Sequence, residues 1–346
     1  MCQYSAENGF ANDWHLVHLG ARAQGGAGAL ILEAAAVVPE GRITPADLGL
    51  WKDEHIEGLA RVVRFLHSQG VRAGIQLAHA GRKASMSLPF GPERLVPPAE
   101  GGWQTVAPSA LAFSPESGQP LALDQAGIDA VIAAFAAAAR RADQAGFDFV
   151  EIHAAHGYLL HEFMSPLANQ RIDAYGGSFA NRARLMLQVT DAVRAAWPAH
   201  LPLFVRLSAT DWAEGGWTAD ETVELARLLK ERGVDLLDIS TGGMVPHAKI
   251  PVGPGFQVPF AARVRAEAGM ATAAVGMITE AAQANAIVAK GQADLVLVAR
   301  AALHDAYWPV HAAEALGEPV SWPRQYLRAA PRQSTAREPI EHPRGE

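Results

Sequence analysis

Between Phe147 and Tyr158 the chain reads Phe-Asp-Phe-Val-Glu-Ile-His-Ala-Ala-His-Gly-Tyr, and three side chains at its end, His153, His156 and Tyr158, can give or take protons. The stretch opens as an apolar strand after a helical run stopped by Gly146. A strand that releases such a cluster into a loop is where a parallel barrel carries its active site. The His-x-x-His spacing brings both imidazoles to one side if the backbone turns helically after the strand. Two chemistries then compete. As zinc ligands the pair needs a third partner, and Asp238 at another strand end is the candidate. As N–H donors the two rings would polarise a carbonyl or phenolate oxygen while charge builds on it, with Tyr158 as proton source.

The elements that would position these groups alternate regularly. Helical spacing over 13–24 precedes a strand at 30–34, and 54–69 precedes one at 71–77. Four further helices, 124–145, 181–197, 219–232 and 259–268, lead into strands 147–153, 202–208, 234–240 and 271–275, and a last helix at 280–290 leads into 293–298. Seven strands alternating with helices, plus a stub at the N-terminus, give the rhythm of a (β/α)8 TIM barrel within one domain over 1–330. The proline- and glycine-rich stretch 78–123 is too long for a simple connection and should run over one end of the fold. A doubly wound sheet would need its glycine fingerprint after a strand, whereas Gly25, Gly26 and Gly28 precede one.

Strand parity sorts the side chains. Ile75, Leu77, Val150, Ile152, Val205, Leu207, Leu237 and Ile239 share the face suited to packing under helices. The opposite face gathers Gln76, His153, Arg206 and Ser240 at the barrel mouth. A structural reading stands beside this one: Glu151 and Arg206 could simply be a buried pair.

Composition narrows the class. A net charge of −7 with no dense basic run disfavours a nucleic-acid surface, which argues against a flavin-dependent tRNA dihydrouridine synthase, another FMN barrel. One cysteine rules out an internal disulfide and a several-thiolate metal site, and points to the cytoplasm. No apolar run is long enough to cross a bilayer, so the expectation is a soluble enzyme without membrane partners.

Several stretches together are similar to the old yellow enzyme family, nearest its xenobiotic-reductase or thermophilic-like ene-reductases. They are Met1-Cys-Gln-Tyr4, Gln76-Leu-Ala-His-Ala-Gly-Arg-Lys83, His153-Ala-Ala-His156-Gly-Tyr158 and Asp173-Ala-Tyr-Gly-Gly-Ser178, and the likeness extends to about Arg328. The resemblance implies an FMN-containing barrel that takes hydride from NADPH or NADH and reduces activated carbon–carbon double bonds. It also implies roles. His153 and His156 would bind the enone oxygen, Tyr158 would protonate, and Tyr4 would be a second substrate-side phenol. Met1, Cys2, Ala34 and Gln76 would lie at the flavin ring, and Arg206 at its pyrimidine edge. Gly276, Ala299 and Arg300 would hold the phosphate, and no metal is implied. Arg82 and Lys83 could equally be solvated charges and are left out of the site.

Two departures carry expectations. Family members begin further upstream, so the first strand is expected to be truncated here and a longer native product to exist. Trp322-Pro-Arg-Gln-Tyr-Leu-Arg328 resembles the segment that sends an arginine into a neighbouring subunit's site, so Arg328 is expected to act across a homo-oligomer. The polar residues 331–346 are expected to be a disordered tail.

Overall fold

A computed structural model describes residues 1–332 and 334–340. Its strands, in chain order, are β1 (Ala29–Ala36), β2 (Arg72–Ala78), β3 (Val106–Ala107), β4 (Leu121–Ala122), β5 (Phe149–Ala154), β6 (Leu203–Ser208), β7 (Leu236–Ser240), β8 (Ala271–Ala274), β9 (Leu295–Val296), β10 (Ser321–Trp322) and β11 (Thr335–Ala336). The helices are α1 (Asp13–Gln24), α2 (Ile56–Ser68), α3 (Gln125–Ala145), α4 (Leu159–Met164), α5 (Phe179–Ala196), α6 (Ala219–Glu231), α7 (Val258–Ala268), α8 (Ala281–Ala289), α9 (Arg300–His304) and α10 (Trp308–Leu316). A parallel sheet in the order β1-β2-β5-β6-β7-β8-β9 curls through the molecule, which is the expected barrel.

Local chemistry sets the helix ends. Thr218 and Glu221 form a capping box at α6, Asp124 Oδ1 accepts the Gly127 amide at 2.8 Å to start α3, and Gly146 closes α3 in the left-handed region (φ 88°). Leu59, Val62, Val63 and Leu66 recur at helical spacing on α2 and are all buried. The outward strand set named above is fully buried under the helices, as parity requires. Inside the barrel, Phe149 and Phe204 lie ring to ring at 4.7 Å and plug the floor. A Cβ added at Gly74 would come within 2.1 Å of the Phe149 ring, so that position needs a glycine to admit the plug.

The sheet edges β1 and β9 do not pair with each other among the described residues. Helices cover that seam instead. Arg22 of α1 donates to the carbonyls of Ala302 (3.1 Å) and Leu303 (3.4 Å), and the Val310 amide donates to Gly25 O (3.2 Å). Residues 1–12 join no strand of the sheet; the Gln3 amide reaches Glu33 Oε2 on β1 at 2.7 Å.

The described end of the chain differs from the disordered tail expected from composition. Thr335–Ala336 pairs with Ser321–Trp322, Arg337 donates to Ala23 O and Ser321 O, and the Ile340 amide donates to His67 O. Backbone carbonyls at the ends of α1 and α2 supply the acceptors that a polar tail otherwise takes from water. Residues 341–346 of the expected tail lie outside the described residues.

Candidate active site

The carboxyl ends of β2, β5, β6 and β7 carry a belt of polar side chains above the Phe149–Phe204 floor. Gln76 Nε2 donates to Glu151 Oε1 at 2.7 Å, and Arg206 Nε lies 3.0 Å from Asp238 Oδ2. The structural reading of a Glu151–Arg206 pair holds only in part, because Asp238, opposite Arg206 in the β6–β7 register, makes the direct contact. Glu151 and Asp238 thus share one guanidinium and resist joint ionisation. Burial, and then the Asp238 charge, push Glu151 up to about 8. With Asp238 bound to Arg206, the third ligand of the zinc reading is already engaged.

One turn of chain above this belt, the His-x-x-His segment departs from the helical turn anticipated. His156 (φ 60°) and Gly157 (φ 71°) are consecutive left-handed residues, and α4 begins only after Tyr158. A left-handed non-glycine residue costs about 1–2 kcal/mol, so it persists only where its surroundings impose it. Here the restraint is explicit. The His156 amide donates to Ser208 Oγ (2.9 Å), and its carbonyl accepts from Lys83 Nζ (2.8 Å). A Cβ on Gly157 would meet Gly243 O at 2.2 Å, which shows how tightly the turn is pressed against the loop after β7.

The ring nitrogens are oriented by their neighbours. His153 Nδ1 accepts the Ala155 amide at 3.2 Å, leaving Nε2 to carry the proton as a donor. His156 Nε2 lies 2.7 Å from Ser240 Oγ. Ser240 Oγ also lies within donating distance of Gln257 Oε1 (3.2 Å), but Thr241 Oγ1 supplies that acceptor at 2.7 Å; when the Ser240 hydroxyl donates to Nε2 instead, Nδ1–H becomes the free donor. The two rings meet edge to face at 5.2 Å, and Tyr158 meets His153 the same way at 5.0 Å. Burial, and then the Arg206 charge, hold both histidines well below their ordinary range, so each is a neutral single-proton donor at pH 7. Burial raises Tyr158 well above the usual phenol range, so it keeps its proton.

Across from Tyr158 runs a wall of small side chains, Ala34, Ala36, Ala78 and Ala80, bounding a cavity with Asp47 and Ile43. Cys2 and Tyr4 approach the same place, near enough to Tyr158 that ionising either would raise it further, and the Ala34 amide points at the Cys2 sulfur. Burial, followed by the Asp47 and Glu33 charges, keeps the Cys2 thiol protonated, while burial and then Cys2 raise Tyr4. Met1 is exposed and lines a separate cavity with Gln3, His15 and Glu33. Past β8, Gly276 (φ 119°) and Met277 (φ 50°) are successive positive-φ residues in the loop that leads to α8. Past β9, Ala299 offers no side-chain cap to the amides that open α9, and Arg300 is the first residue of that helix. These parts suit FMN: a wall of small apolar side chains for the ring, a cation for its electron-rich edge, unpartnered Glu151 Oε2 and Asp238 Oδ1 beside that cation, and uncapped amides at the start of α9 for a phosphate.

Arg328 stands apart. It is exposed on the segment between β10 and β11, and no hydrogen bond or ion pair joins it to the site among the described residues.

A profile of the NADH:flavin oxidoreductase / NADH oxidase family matches residues 1–318. The chain belongs to this family. NADPH dehydrogenase of Geobacillus sp. (strain WCH70) is 47% identical over 330 residues, covering 95% of this chain and 92% of that one. NADPH dehydrogenase of Listeria monocytogenes serotype 4a (strain HCC23) is 48% identical over 331 residues, covering 95% and 93%. Among solved structures, morphinone reductase superposes with a TM-score of 0.75 at 28% identity, covering 93% of this chain and 86% of that one. A complex of 2-naphthoyl-CoA reductase gives 0.80 at 26% identity over 91% of this chain, which spans about half (49%) of that larger protein. The old yellow enzyme likeness read from the motifs therefore holds. This flavin oxidoreductase is an FMN-dependent enzyme that uses a nicotinamide as reductant, and among its described residues no helix is long and apolar enough to cross a membrane.

Residues missed from the sequence explain much of the geometry. Arg82 and Lys83 are not solvated: Arg82 Nη2 donates to Met244 O (2.8 Å), and Lys83 Nζ donates to His156 O and Gly243 O, 5.1 Å from the Tyr158 ring centre. The signal available was their place directly after Gly81, at the end of a strand that already carried Gln76.

Proposed function

We propose that this flavin oxidoreductase reduces the activated C=C bond of α,β-unsaturated carbonyl compounds, with nitro-olefins as a further class. The observation that carries the reading is the pair of neutral imidazoles, each with one directed N–H, converging beside a protonated phenol. Bound FMN would supply the hydride chemistry, taking two electrons and a proton equivalent from NADPH or NADH and delivering them to the β-carbon of the substrate. His153 Nε2–H and His156 would grip the carbonyl oxygen, whose hydrogen bonds strengthen as it becomes enolate-like. Tyr158 would give its proton to the α-carbon and regain one from solvent. Tyr4 would flank the substrate from the opposite side.

On the cofactor side, Arg206 would stabilise the negative charge that reduction leaves on the pyrimidine edge, because a guanidinium does so without a proton transfer. Ala34 and Gln76, with Cys2 and Met1, would contact the ring, and the Gly276, Ala299 and Arg300 backbone would bind the phosphate. No metal is assigned. We extend the proposal to a cytoplasmic homo-oligomer in which Arg328 enters the neighbouring site.

The test is an anaerobic cycle on the FMN-loaded protein. NADPH should bleach the flavin absorbance, and 2-cyclohexenone should restore it. Bleaching that only oxygen reverses, with a panel of enones and nitro-olefins inert, would rule the proposal out.

A further inference from the structure

Behind the His156–Tyr158 turn lies a closed polar group that the proposed reaction does not use. His161 sits on α4, Ser165 just past it and Asp211 in the loop after β6, and all three are fully buried. His161 Nδ1 lies 3.0 Å from the Gly157 amide nitrogen, and Nε2 lies 2.9 Å from Asp211 Oδ1. The other carboxylate oxygen accepts from Ser165 Oγ at 2.6 Å and from the Trp217 amide at 2.7 Å.

Serine, histidine and aspartate in one cluster suggest a nucleophile, but the connectivity excludes it. The hydroxyl is bonded to the carboxylate rather than to the imidazole, and no member reaches solvent or the cavity. What the cluster does hold is the Gly157 amide. That amide belongs to a left-handed pair, His156–Gly157, which no helix or sheet ladder can satisfy, and the only acceptor the group offers it is one imidazole nitrogen.

A neutral imidazole has one N–H. With the proton on Nε2, His161 turns its N–H toward the Asp211 carboxylate, a charge–dipole contact at 2.9 Å, and accepts from the Gly157 amide. With the proton on Nδ1, two N–H groups face each other at Gly157 and a lone pair faces the carboxylate. We propose that Asp211 and His161 form a tautomer lock, a pair of positioning residues that fix the Gly157 amide and through it set where His156 and Tyr158 point. The lock also ties the loop after β6, which follows Arg206, to the loop after β5. This inference rests on the carbonyl-binding and proton-donating roles proposed above for His156 and Tyr158, but the hydrogen-bond pattern can be tested without them.

Two substitutions divide the function of the ring. In His161→Asn the amide oxygen can replace Nδ1 as the acceptor for Gly157 and the Asp211 contact is lost. In His161→Gln the amide nitrogen can replace Nε2 as the donor to Asp211 and the Gly157 contact is lost. Because a small misplacement of reacting groups costs on the order of 10²-fold, His161→Gln should lower kcat for an enone by tenfold or more and weaken binding of a para-substituted phenol. His161→Asn should recover most of both, at equal or lower thermal stability. A purely structural role would make activity follow stability and reverse that order.

The deciding measurement needs no variant. Nitrogen-15 spectra of the histidine-labelled, FMN-loaded wild type should show neutral His161 with an unprotonated Nδ1 and a protonated Nε2, and the Gly157 amide should exchange slowly. A protonated Nδ1, or a His161→Gln protein as active as His161→Asn, overturns the lock. If the wild type binds no phenol and reduces no enone, the functional proposal fails, while the tautomer and the amide exchange still decide the lock.

Discussion

Lys83 Nζ donates to the carbonyl of His156 at 2.8 Å and to that of Gly243 at 3.1 Å, so one ammonium joins the loops that follow β2, β5 and β7. His156 is left-handed, and its carbonyl direction follows from that conformation. A side chain left out of the site on sequence grounds therefore fixes the backbone that carries the His156 imidazole.

Replacing Lys83 with Met should release His156 and reduce kcat/KM for an enone by roughly 5–30-fold, the equivalent of the ~1–2 kcal/mol that a left-handed residue costs. Steady-state kinetics across the enone panel checks it, and unchanged kinetics would remove Lys83 from the site.

The same residue gives a pH signature. Burial lowers Lys83 from an ordinary value of 10.5 to about 8. Below about 8 both folded and unfolded chains carry the charge, and the folded state bears the full burial penalty. Between 8 and 10.5 the folded lysine is already neutral, so the penalty shrinks as pH rises. Wild type should therefore gain stability relative to Lys83→Met on going from pH 7.5 to 9.5, read as the difference in urea midpoints.

Arg206 and Asp238 should be far more costly to separate than to remove together. Arg206→Met leaves a buried carboxylate without its partner and should destabilise the fold by about 3–5 kcal/mol, while adding Asp238→Asn should return part of that loss. Thermal unfolding of the single and double variants is the check. Both should retain FMN poorly, because the cation at the pyrimidine edge is gone in each.

The histidines should not be equivalent. His153→Ala removes a donor whose tautomer is set by its own backbone and should lower kcat by about 10²–10³. Ser240→Ala only frees the His156 ring from a neutral hydrogen-bond partner and should cost about fivefold, the scale of one such bond. Equal losses in stopped-flow enone reduction would contradict the assignment of Nε2 at His153.

Arg328 provides a complementation test. If it enters a neighbouring subunit's site, mixing Arg328→Ala with His153→Ala protein should regenerate activity that neither has alone. No recovery, or a monomer of full activity in sedimentation, would end that proposal.

Much of the fold was legible because its period is simple. The helix now seen at Asp13–Gln24 coincides with the predicted 13–24, and the strands around Gln76, His153, Arg206 and Ser240 fell within two residues of expectation. Helices α4, α9 and α10 were not foreseen. The first is six residues long and wholly buried, His161 and Glu162 included, so no polar face marks out a helical stripe. Polar residues near the chain end suggested disorder, yet Arg337 found carbonyl acceptors on α1 and β10 that no local pattern reveals.

The sequence by itself determined which groups face the barrel mouth, because side-chain alternation along a strand depends only on parity, and its motifs determined the family. Tertiary structure alone decided which of those groups meet. Arg206 makes its direct contact with Asp238, His156 takes a left-handed turn, and Lys83 points inward. Parity assigns a face but no partner, and a buried charge can be held only by acceptors that separate loops bring together.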